Sequence, residues 1–452
     1  TIQWVVIIYA LTIAALLLPM GRLSDLVGRK KIYIIGIIIL GTGAGLSGLS
    51  TSLEMLFPSR ILQGVGAAMT QGTGMAIVTS VFPANEKGRA IGMFMTMVGV
   101  GAIAGPAFGG LAVDLFDWRV VFFLTLPLNI IGAVATIWVM RGWTPVQEAR
   151  RDKFDWLGAA LSTGVLVSLL LAMTTGNKAG WTSLPIMAAF AGAIGMLGTF
   201  IWWELRADSP MLDLRLFKGR TFSLGVSAAF LTFLGSSAVL FMMPFYLQNV
   251  LGYSAKAAGF VVVPGAICMA IMGTVSGVLS DRFGWRPFTV GGLASSATGL
   301  LILSFVKEDS SLWMVVPALM LMNTGMGIFY SPNSSSVMNA VGIAKYGVVS
   351  GFLNLVRNAA NVTSIAFATI IVTASMASMG HEPNLEAVRG GAEGVGHAFT
   401  VGLHYAFLTM MGIVLLAMTL SALQPNRIVR PDTEADQAPD ESIKPTEQQA
   451  KS

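Results

Sequence analysis

The stretch "GRLSDLVGRKK", residues 21–31, follows an apolar run, and the chain repeats it past its middle as "GVLSDRFGWRP", residues 277–287. Five residues recur at the same offsets: Gly21, Leu23, Ser24, Asp25 and Gly28 in the first copy, and Gly277, Leu279, Ser280, Asp281 and Gly284 in the second. A match with this spacing within one chain indicates an internal repeat. The fold therefore has to place the two copies in equivalent positions.

The composition is that of a membrane protein. Of the 452 residues, 54% are hydrophobic and 11% are charged, whereas soluble domains carry about 25% charged residues. Apolar stretches of roughly 17 to 25 residues can cross a bilayer as helices. We predict about thirteen spans, at residues 4–20, 32–50, 55–80, 90–112, 120–140, 156–174, 184–204, 222–248, 255–280, 287–306, 312–332, 346–376 and 402–423. The predicted fold is all-α and polytopic.

The basic residues alternate between the two sides of the predicted bundle. If the loop after the first span is cytoplasmic, the opposite side carries only Arg119, Lys178, Lys256, Lys307 and Arg389. This is the positive-inside rule, which predicts a cytoplasmic C-terminus, and we expect the plasma membrane of a bacterium. The net charge of +5 is then explained by the basic residues of the cytoplasmic loops, and no nucleic-acid partner is expected.

Eight predicted spans separate the two copies of the repeated loop, whereas two parallel six-helix repeats would separate them by six. We therefore predict a first transport half at 1–140, two inserted helices with their loops at 141–221, a second transport half at 222–423, and a polar, disordered tail at 424–452. Because Thr1 lies almost at the start of the first span, we expect a 6+2+6 architecture that lacks its first helix.

Several motifs together resemble a known family. "GRLSDLVGRKK" is similar to the signature loop of the major facilitator superfamily, "RILQGVGAA" (60–68) to its fourth-helix motif, and "GAIAGPAFGG" (101–110) to its antiporter motif. "DWRVVFFLTLPLNIIG" (117–132) and "PMLDLRLFKGRTF" (210–222) resemble the fourteen-helix drug/proton antiporter branch, the EmrB/QacA-type. The resemblance covers residues 1 to about 424. It implies the major facilitator fold and a proton gradient as the energy source, with no cofactor.

The repeated loops are candidates for a conformational lock. Glycines allow a tight turn and close helix approach, while an acidic side chain at a helix end among basic ones can hold two helices together in one state. The residues are Gly21, Asp25, Gly28, Arg29 and Lys30 in the first copy, and Gly277, Asp281, Arg282 and Gly284 in the second. The resemblance implies that they close the cytoplasmic side in the outward-open state. Ordinary topology anchors would not need the repeated aspartate.

Arg60 lies inside the third predicted span, where an arginine costs at least about 2.5 kcal/mol on insertion scales. Arg60, Gln63 and Gln71 share a helical face, which predicts a polar stripe that lines a water-filled cavity. The resemblance implies a role for Arg60 in proton coupling. The alternative is an arginine that reaches the interface by snorkelling.

A glycine-rich face is predicted in the fourth span. Gly101, Gly105 and Gly109 fall at i, i+4 and i+8, and Pro106 interrupts the hydrogen-bond ladder beside them. With Gly110, they predict a kinked helix that packs closely on a neighbour. The resemblance implies that this contact disfavours leak.

A second polar stripe lies in the twelfth span, where Asn354, Arg357, Asn358 and Asn361 recur at i, i+3, i+4 and i+7. Asn323 adds polarity in the span before it. These side chains either line a substrate cavity opposite Arg60 or make hydrogen bonds between helices.

We expect secondary active transport, most simply proton-driven export of amphipathic small molecules by alternating access. No Asp or Glu lies deep within a span, so the proton-carrying acid is expected on the missing helix. A selective carrier of one defined metabolite, which an anion would fit, is the alternative, followed by a non-transporting sensor or scaffold. An enzyme is not expected, because no span pairs a His with a catalytic partner, and no metal-site spacing or Walker motif for ATP is present. The oligomeric state is left open, and the expected partners are the small molecule, protons and lipid.

Overall fold

The computed structural model describes residues 3–141, 153–180, 182–382, 384–385, 388 and 394–425. Within these residues the chain forms thirteen long helices and no strand. They are α1 (Gln3–Val27), α2 (Arg29–Leu49), α3 (Leu53–Val81), α4 (Lys87–Leu115), α5 (Arg119–Val139), α6 (Trp156–Ala179), α7 (Leu184–Glu204), α8 (Arg220–Phe245), α9 (Ala255–Phe283), α10 (Arg286–Ser304), α11 (Leu312–Asn339), α12 (Tyr346–Ser378) and α13 (Val395–Ala422). Eleven of them, all but α3 and α4, are long and apolar enough to cross a membrane. The predicted all-α membrane fold is confirmed.

Each of the thirteen predicted spans overlaps one of these helices. The differences are at the ends, because backbone hydrogen bonding rather than apolarity decides where a helix stops. Helices α1, α9 and α11 continue into polar sequence, so Asp25 and Asp281 lie on last helical turns rather than in loops. Helix α13 begins ahead of its predicted start, after Gly394, whose φ is +83°. The predicted tail lies outside the described residues from 426 onward.

The helices alternate in direction, so the connections fall at two ends of the bundle. The end that we call the basic end carries the connections α1–α2, α3–α4, α5–α6, α7–α8, α9–α10 and α11–α12. Contacts agree with this assignment: at the basic end Trp285 donates to the Pro425 carbonyl, 3.1 Å away. At the opposite end Arg119 donates to the Ser50 carbonyl. The predicted alternation of loops is therefore present in the fold.

We call helices α1–α5 the first half and helices α8–α13 the second half. The five helices of the first half match the last five helices of the second half, α9–α13. In both, the second and third helices of the matching unit cross at a glycine. A methyl group at Gly43 of α2 would lie 2.5 Å from the Gln63 amide nitrogen, and one at Gly299 of α10 would lie 2.6 Å from the Met322 amide nitrogen. Helices α6 and α7 form a hairpin beside α1, where Thr163 donates to the Ala15 carbonyl. The predicted domain boundaries and the 6+2+6 count stay predictions.

The two halves share an apolar core near the basic end. Ile91 of the first half is fully buried in one cluster with Phe222, Tyr346 and Val349 of the second. Burying this surface draws α1 onto α12 and α4 onto α9. The two crossings place both repeated aspartates against the opposite half.

Candidate functional site: two interhelix locks at the basic end

Asp25, on the last turn of α1, caps the N-terminus of α12. Its Oδ1 accepts a hydrogen bond from the Gly347 amide and its Oδ2 accepts one from the Val348 amide, both at 2.9 Å. These amides belong to the first turn of α12, where N–H groups have no partner within the helix and the helix dipole is positive. The carboxylate therefore joins the two halves at a point that favours its negative charge. We call this contact the first lock.

Arg29 completes the first lock. Its Nε and Nη2 donate to Asp25 Oδ1 at 3.0 and 2.8 Å, and its Nη2 also donates to the Ile343 carbonyl. The Asp25 side chain is only 2% exposed and that of Arg29 is 10% exposed. One guanidinium thus compensates a buried carboxylate while it contacts the segment that leads into α12.

Asp281, on the last turn of α9, repeats the arrangement at the N-terminus of α4. The Gly88 amide donates to its Oδ1 at 2.9 Å and the Arg89 amide donates to its Oδ2 at 2.8 Å. The backbone geometry is the same as in the first lock, with the halves exchanged. We call this contact the second lock. The internal repeat in the sequence is therefore a repeat of a capping interaction.

The second lock lacks the cation of the first. Trp285 stands at the repeat position of Arg29, and the described residues include no ion pair to Asp281. Arg282 was predicted to belong to the lock, but it is exposed and its guanidinium lies 5.5 Å from the Phe283 ring centroid. It points away because the residue after Asp281 is about 100° further around the helix.

Lys30 is also outside the first lock. Its Nζ donates to the Met140 carbonyl at the end of α5, within the same half. The lysine that does bridge the halves is Lys87, the first residue of α4, which donates to Asn339 Oδ1 at 2.7 Å and to the Tyr346 hydroxyl. Lys87 is 6% exposed and was not singled out from the sequence.

The glycines of the repeated motif divide into two roles. Gly28 and Gly284 have φ of +110° and +85°, so they make the turns that a side chain would strain. Gly21 and Gly277 lie inside helices at the crossings, where a methyl group at Gly21 would come within 2.5 Å of the Gly347 carbonyl oxygen. The glycines thus provide the predicted tight turn at Gly28 and Gly284 and the predicted close helix approach at Gly21 and Gly277, where α1 and α9 continue as helix.

The partners of these crossings were missed in the sequence analysis, although a signal exists. "KGRAIG" (87–92) opens α4 and "YGVVSG" (346–351) opens α12, and both carry glycines at i and i+4. Gly88 and Gly92 contact α9, while Gly347 and Gly351 contact α1. Small residues at this spacing are typical of close helix crossings in membranes.

Arg60 is held at the opposite end of the first half by neutral groups. Its Nε donates to the Val5 carbonyl at 3.0 Å and its Nη1 to Gln63 Oε1 at 2.6 Å. The guanidinium carbon lies 4.3 Å from the Tyr9 ring centroid and 5.5 Å from that of Phe122. No carboxylate pairs with Arg60 within the described part of the chain. Helices α1, α3 and α5 thus keep a positive charge among polar and aromatic groups inside the membrane.

Gln71, the third residue predicted for this stripe, contacts the second half through its backbone. Its carbonyl accepts a hydrogen bond of 3.1 Å from Asn354 Nδ2, which also donates to the Ser350 carbonyl. Arg357 donates to Asn354 Oδ1 at 2.7 Å. By helical rise, Arg357 therefore lies about 12 Å nearer the basic end than Arg60. The two arginines are at different depths rather than opposite each other.

The remaining asparagines of the predicted cavity are used differently. Asn361 Oδ1 accepts from the Ser237 hydroxyl of α8, which is a hydrogen bond between helices. Asn323 Nδ2 bonds to the Leu319 carbonyl of its own helix, 2.9 Å away. Asn358 is half-buried. In this conformation, Asn354 and Asn361 fit the helix-bonding alternative.

The predicted close packing at the antiporter motif is absent at Gly101 and Gly105. Both are exposed, and a methyl group at either would meet no atom of the described residues within 4 Å. Among the described glycines of α4, those that face α9 closely are Gly88, Gly92 and, more loosely, Gly99, which all lie nearer the basic end. The surroundings of Pro106, Gly109 and Gly110 lie outside what the structure describes.

The described hydrogen bonds between the two halves are confined to the part of the bundle near the basic end. Two contacts mark the limit of this region. These are Thr96 Oγ1 with Thr274 Oγ1, at 2.6 Å, and Asn354 with Gln71. The halves are therefore closed at the basic end in this conformation. Opening that end requires both locks to break.

An all-helical bundle with two repeated halves, each capped by an aspartate of the other, has the architecture of a membrane transporter that alternates between two conformations. The chain belongs to the Major Facilitator Superfamily, whose sequence pattern matches residues 1–365. The predicted family and fold are confirmed, and the chain is an integral membrane protein. The fourteen-helix branch and the missing first helix stay predictions.

Curated relatives agree with this assignment. The chain is 34% identical over 369 residues to the riboflavin transporter RibZ of Clostridioides difficile, a match that covers 81% of this chain and 78% of that protein. It is 33% identical over 391 residues to the multidrug resistance protein Stp of Mycobacterium tuberculosis, covering 85% and 71%. It is 25% identical over 421 residues to the lincomycin resistance protein LmrB of Listeria monocytogenes, covering 93% and 87%.

Solved structures share the fold. The human organic anion transporter MFSD10 superposes with a TM-score of 0.62 at 16% identity, over 92% of this chain and 83% of that one. The proton:xylose symporter XylE superposes with a TM-score of 0.60 at 14% identity, over 92% and 85%. At these identities the likeness shows the fold alone.

Proposed function

We propose that the protein is a proton-driven exporter of amphipathic small molecules that works by alternating access. The observation that carries the proposal is the pair of matching locks, which close the basic end by contacts that a rigid-body rotation of the halves can break. The relatives named for multidrug and lincomycin resistance support export as the direction. In this proposal the basic end and the C-terminus face the bacterial cytoplasm, and the proton gradient supplies the energy without a cofactor.

Arg60 is the residue that we place nearest to proton coupling. Its charge is compensated by one backbone carbonyl, one side-chain amide and two aromatic rings, and no carboxylate among the described residues neutralises it, so it can raise the acidity of a neighbouring group. Arg60→Lys keeps the charge but loses the planar contact with Tyr9. We expect it to bind substrate while it exports more slowly against the same pH gradient.

The proposal is tested with the protein expressed from its gene and reconstituted into liposomes. An imposed pH gradient drives movement of a fluorescent lipophilic cation such as ethidium, and a pH dye follows counter-movement of protons. We expect the cation and protons to move in opposite directions, and Asp25→Asn to reduce both. Absence of proton movement with every amphipathic compound tested would overturn the proposal.

A selective carrier is the second candidate. It is favoured by two arginines inside spans, Arg60 and Arg357, which suit an anionic or strongly polar substrate, and by a relative named for riboflavin. The same liposomes distinguish the two candidates. Uptake of radiolabelled riboflavin or of one organic anion, with no response to ethidium, identifies the selective carrier.

A further inference from the structure

The hairpin α6–α7 carries a buried carboxyl group that the transport cycle described above does not use. Glu204, the last residue of α7, is only 4% exposed. Its Oε2 accepts a hydrogen bond of 3.1 Å from the Leu212 amide. Its Oε1 has no hydrogen-bond partner among the described residues. Burying a carboxylate that has one oxygen without a hydrogen bond costs free energy because its charge is not compensated. The protonated carboxyl group carries no charge and avoids this cost.

The surroundings of Glu204 disfavour its negative charge in two further ways. It stands at the C-terminus of α7, where the helix dipole is negative. Asp155 also faces it across Gly158, since a methyl group at Gly158 would contact Asp155 Oδ2 and Glu204 Oε1 together. Two carboxyl groups at this range do not both ionise readily.

Asp155 is the member of this pair whose two oxygens both receive hydrogen bonds. It caps the N-terminus of α6, where its Oδ1 accepts from the Gly158 amide at 2.8 Å. It also accepts from Trp203 Nε1 at 2.9 Å through Oδ1 and at 3.1 Å through Oδ2. These donors and the positive helix end stabilise a carboxylate. Glu204, whose Oε1 has no such donor among the described residues, is therefore the member of the pair that is better suited to carry a proton.

Glu204 is connected to the first lock on both sides. On one side the chain returns so that Leu212 bonds to Glu204, and the next residue, Asp213, pairs with Lys345 Nζ at 2.7 Å, directly before α12. On the other side, Arg22 of α1 is buried and acts electrostatically on Glu204, one helical turn before Asp25. Among the described residues, the charged groups that face Glu204 are thus Asp155 from α6 and Arg22 from α1, and the returning segment presents backbone amides.

We propose that Glu204 is a proton-binding site that controls the first lock: it is protonated while the basic end is closed and releases its proton when that end opens. Releasing the proton in the closed state would leave a charge beside Asp155 in a buried site, so the charged form favours a conformation in which water reaches it. The proton affinity of one group then differs between two conformations, which makes their ratio depend on pH. The inference concerns regulation of the proposed transporter and rests on alternation, but not on which substrate is carried.

The test follows the first lock directly, without substrate. Cys268 is replaced by Ser, and Val27→Cys and Ile343→Cys place spin labels on two exposed positions on either side of the first lock. We call this the reporter pair, and its separation is measured by pulsed dipolar resonance in lipid nanodiscs between pH 5.5 and 9. We expect the open population to grow with rising pH, by at most about tenfold per pH unit because one proton is released.

Glu204→Gln keeps the shape and the acceptor for Leu212 but does not titrate, so we expect its closed population to be large and independent of pH. The matched control is Glu54→Gln, at an exposed carboxyl of the opposite end, which should respond as the wild type does. An infrared band of a protonated carboxyl group, present in the closed wild type and lost in Glu204→Gln, gives a second readout. A pH response that persists in Glu204→Gln, or the absence of that band, overturns the proposal. Because no substrate is present, failure of the export proposal would leave these results unchanged.

Discussion

At the scale of single residues, Asp25 and Asp281 make the same backbone contacts in different electrostatic surroundings. Asp25 is paired with Arg29 and is almost completely buried, whereas Asp281 receives two amides and faces no cation within the described residues. Removing a buried charge also strands its partner. The two locks are therefore expected to differ in strength although their motifs match.

Asp25→Asn is expected to weaken the closed state by about 3 kcal/mol, because it leaves the Arg29 guanidinium buried without its carboxylate. Asp281→Asn removes only a capping charge and is expected to cost about 1 kcal/mol. The reporter pair measures both effects as open populations at one pH. Equal shifts in the two variants would show that Arg29 contributes nothing to the first lock.

At the scale of helices, the locks depend on crossings that admit no side chain. A methyl group at Gly88 would lie 2.5 Å from Asp281 Oδ1 and from the Gly277 carbonyl oxygen, whereas one at Gly105, on the same helix, meets nothing. In this conformation α4 thus packs through Gly88 near the basic end, whereas Gly105 of the antiporter motif has open space beside it among the described residues. Which glycines are needed for close helix packing therefore depends on which end of the bundle is closed.

Gly88→Ala is accordingly expected to destabilise the closed protein by about 1–3 kcal/mol through overpacking. Gly105→Ala is the matched control and should be neutral or slightly stabilising, since alanine favours a helix. The midpoint of thermal unfolding in detergent, read by intrinsic fluorescence, compares the two variants. A loss of stability in Gly105→Ala as large as that in Gly88→Ala would mean that α4 packs along its whole length.

The segment between α7 and α8 is tied to α12 by Asp213 and Lys345. Burial acts to raise the pKa of Asp213, but the hydrogen bond from Lys345, the Arg215 amide and the nearby positive charges outweigh it, so the pKa is lowered. A lowered carboxyl pKa contributes stability that is complete above the ordinary value of about 4 and is lost as the pH falls through the folded value. The pair is partly exposed, so its contribution is roughly 0.2–1 kcal/mol.

We therefore expect Asp213→Asn to lower the thermal midpoint slightly at pH 6–7 and to match the wild type near pH 3. Thermal scans across this range measure the difference. Asp208→Asn, at another carboxyl of the same connection, serves as a comparison. A difference between Asp213→Asn and wild type that grows toward acid pH would contradict the sign of the pKa shift.

At the scale of the whole molecule, the two halves meet at the basic end through the locks and one shared apolar core. Transport by alternation requires this end to open, so both the repeated polar locks and the shared apolar core have to separate. Such an arrangement can switch as two rigid bodies without unfolding either half. Alternation is therefore a property of the interface between the halves.

A thiol crosslink between Val27→Cys and Ile343→Cys, in the Cys268→Ser background, is expected to stop transport by holding the basic end closed. Reduction of the crosslink should restore the rate. Either single cysteine variant, treated in the same way, should retain its activity in the liposome assay. Continued export by the crosslinked protein would show that the basic end does not have to open.

Local sequence was sufficient to predict the helices and the aspartate of each lock, but not the amides that the aspartate binds. Thirteen apolar stretches predicted the helices, since length and apolarity decide which segments enter a bilayer. The repeated motif by itself indicated Asp25 and Asp281 as lock residues. The amides that they cap are 322 and 193 residues away, and only packing of the two halves selects them.

The same distinction explains where the structure differs from the predictions. Arg282 directly follows Asp281, and the helix rotates it away from the interface. Lys30 lies on α2, beyond the turn at Gly28, and bonds within its own half. Glu204 looked like an ordinary residue at a helix end, and it is buried because residues 205–213 fold back over it. Helix formation depends on neighbouring residues, whereas burial and pairing depend on surfaces brought together across the whole chain, and only the tertiary structure specifies these.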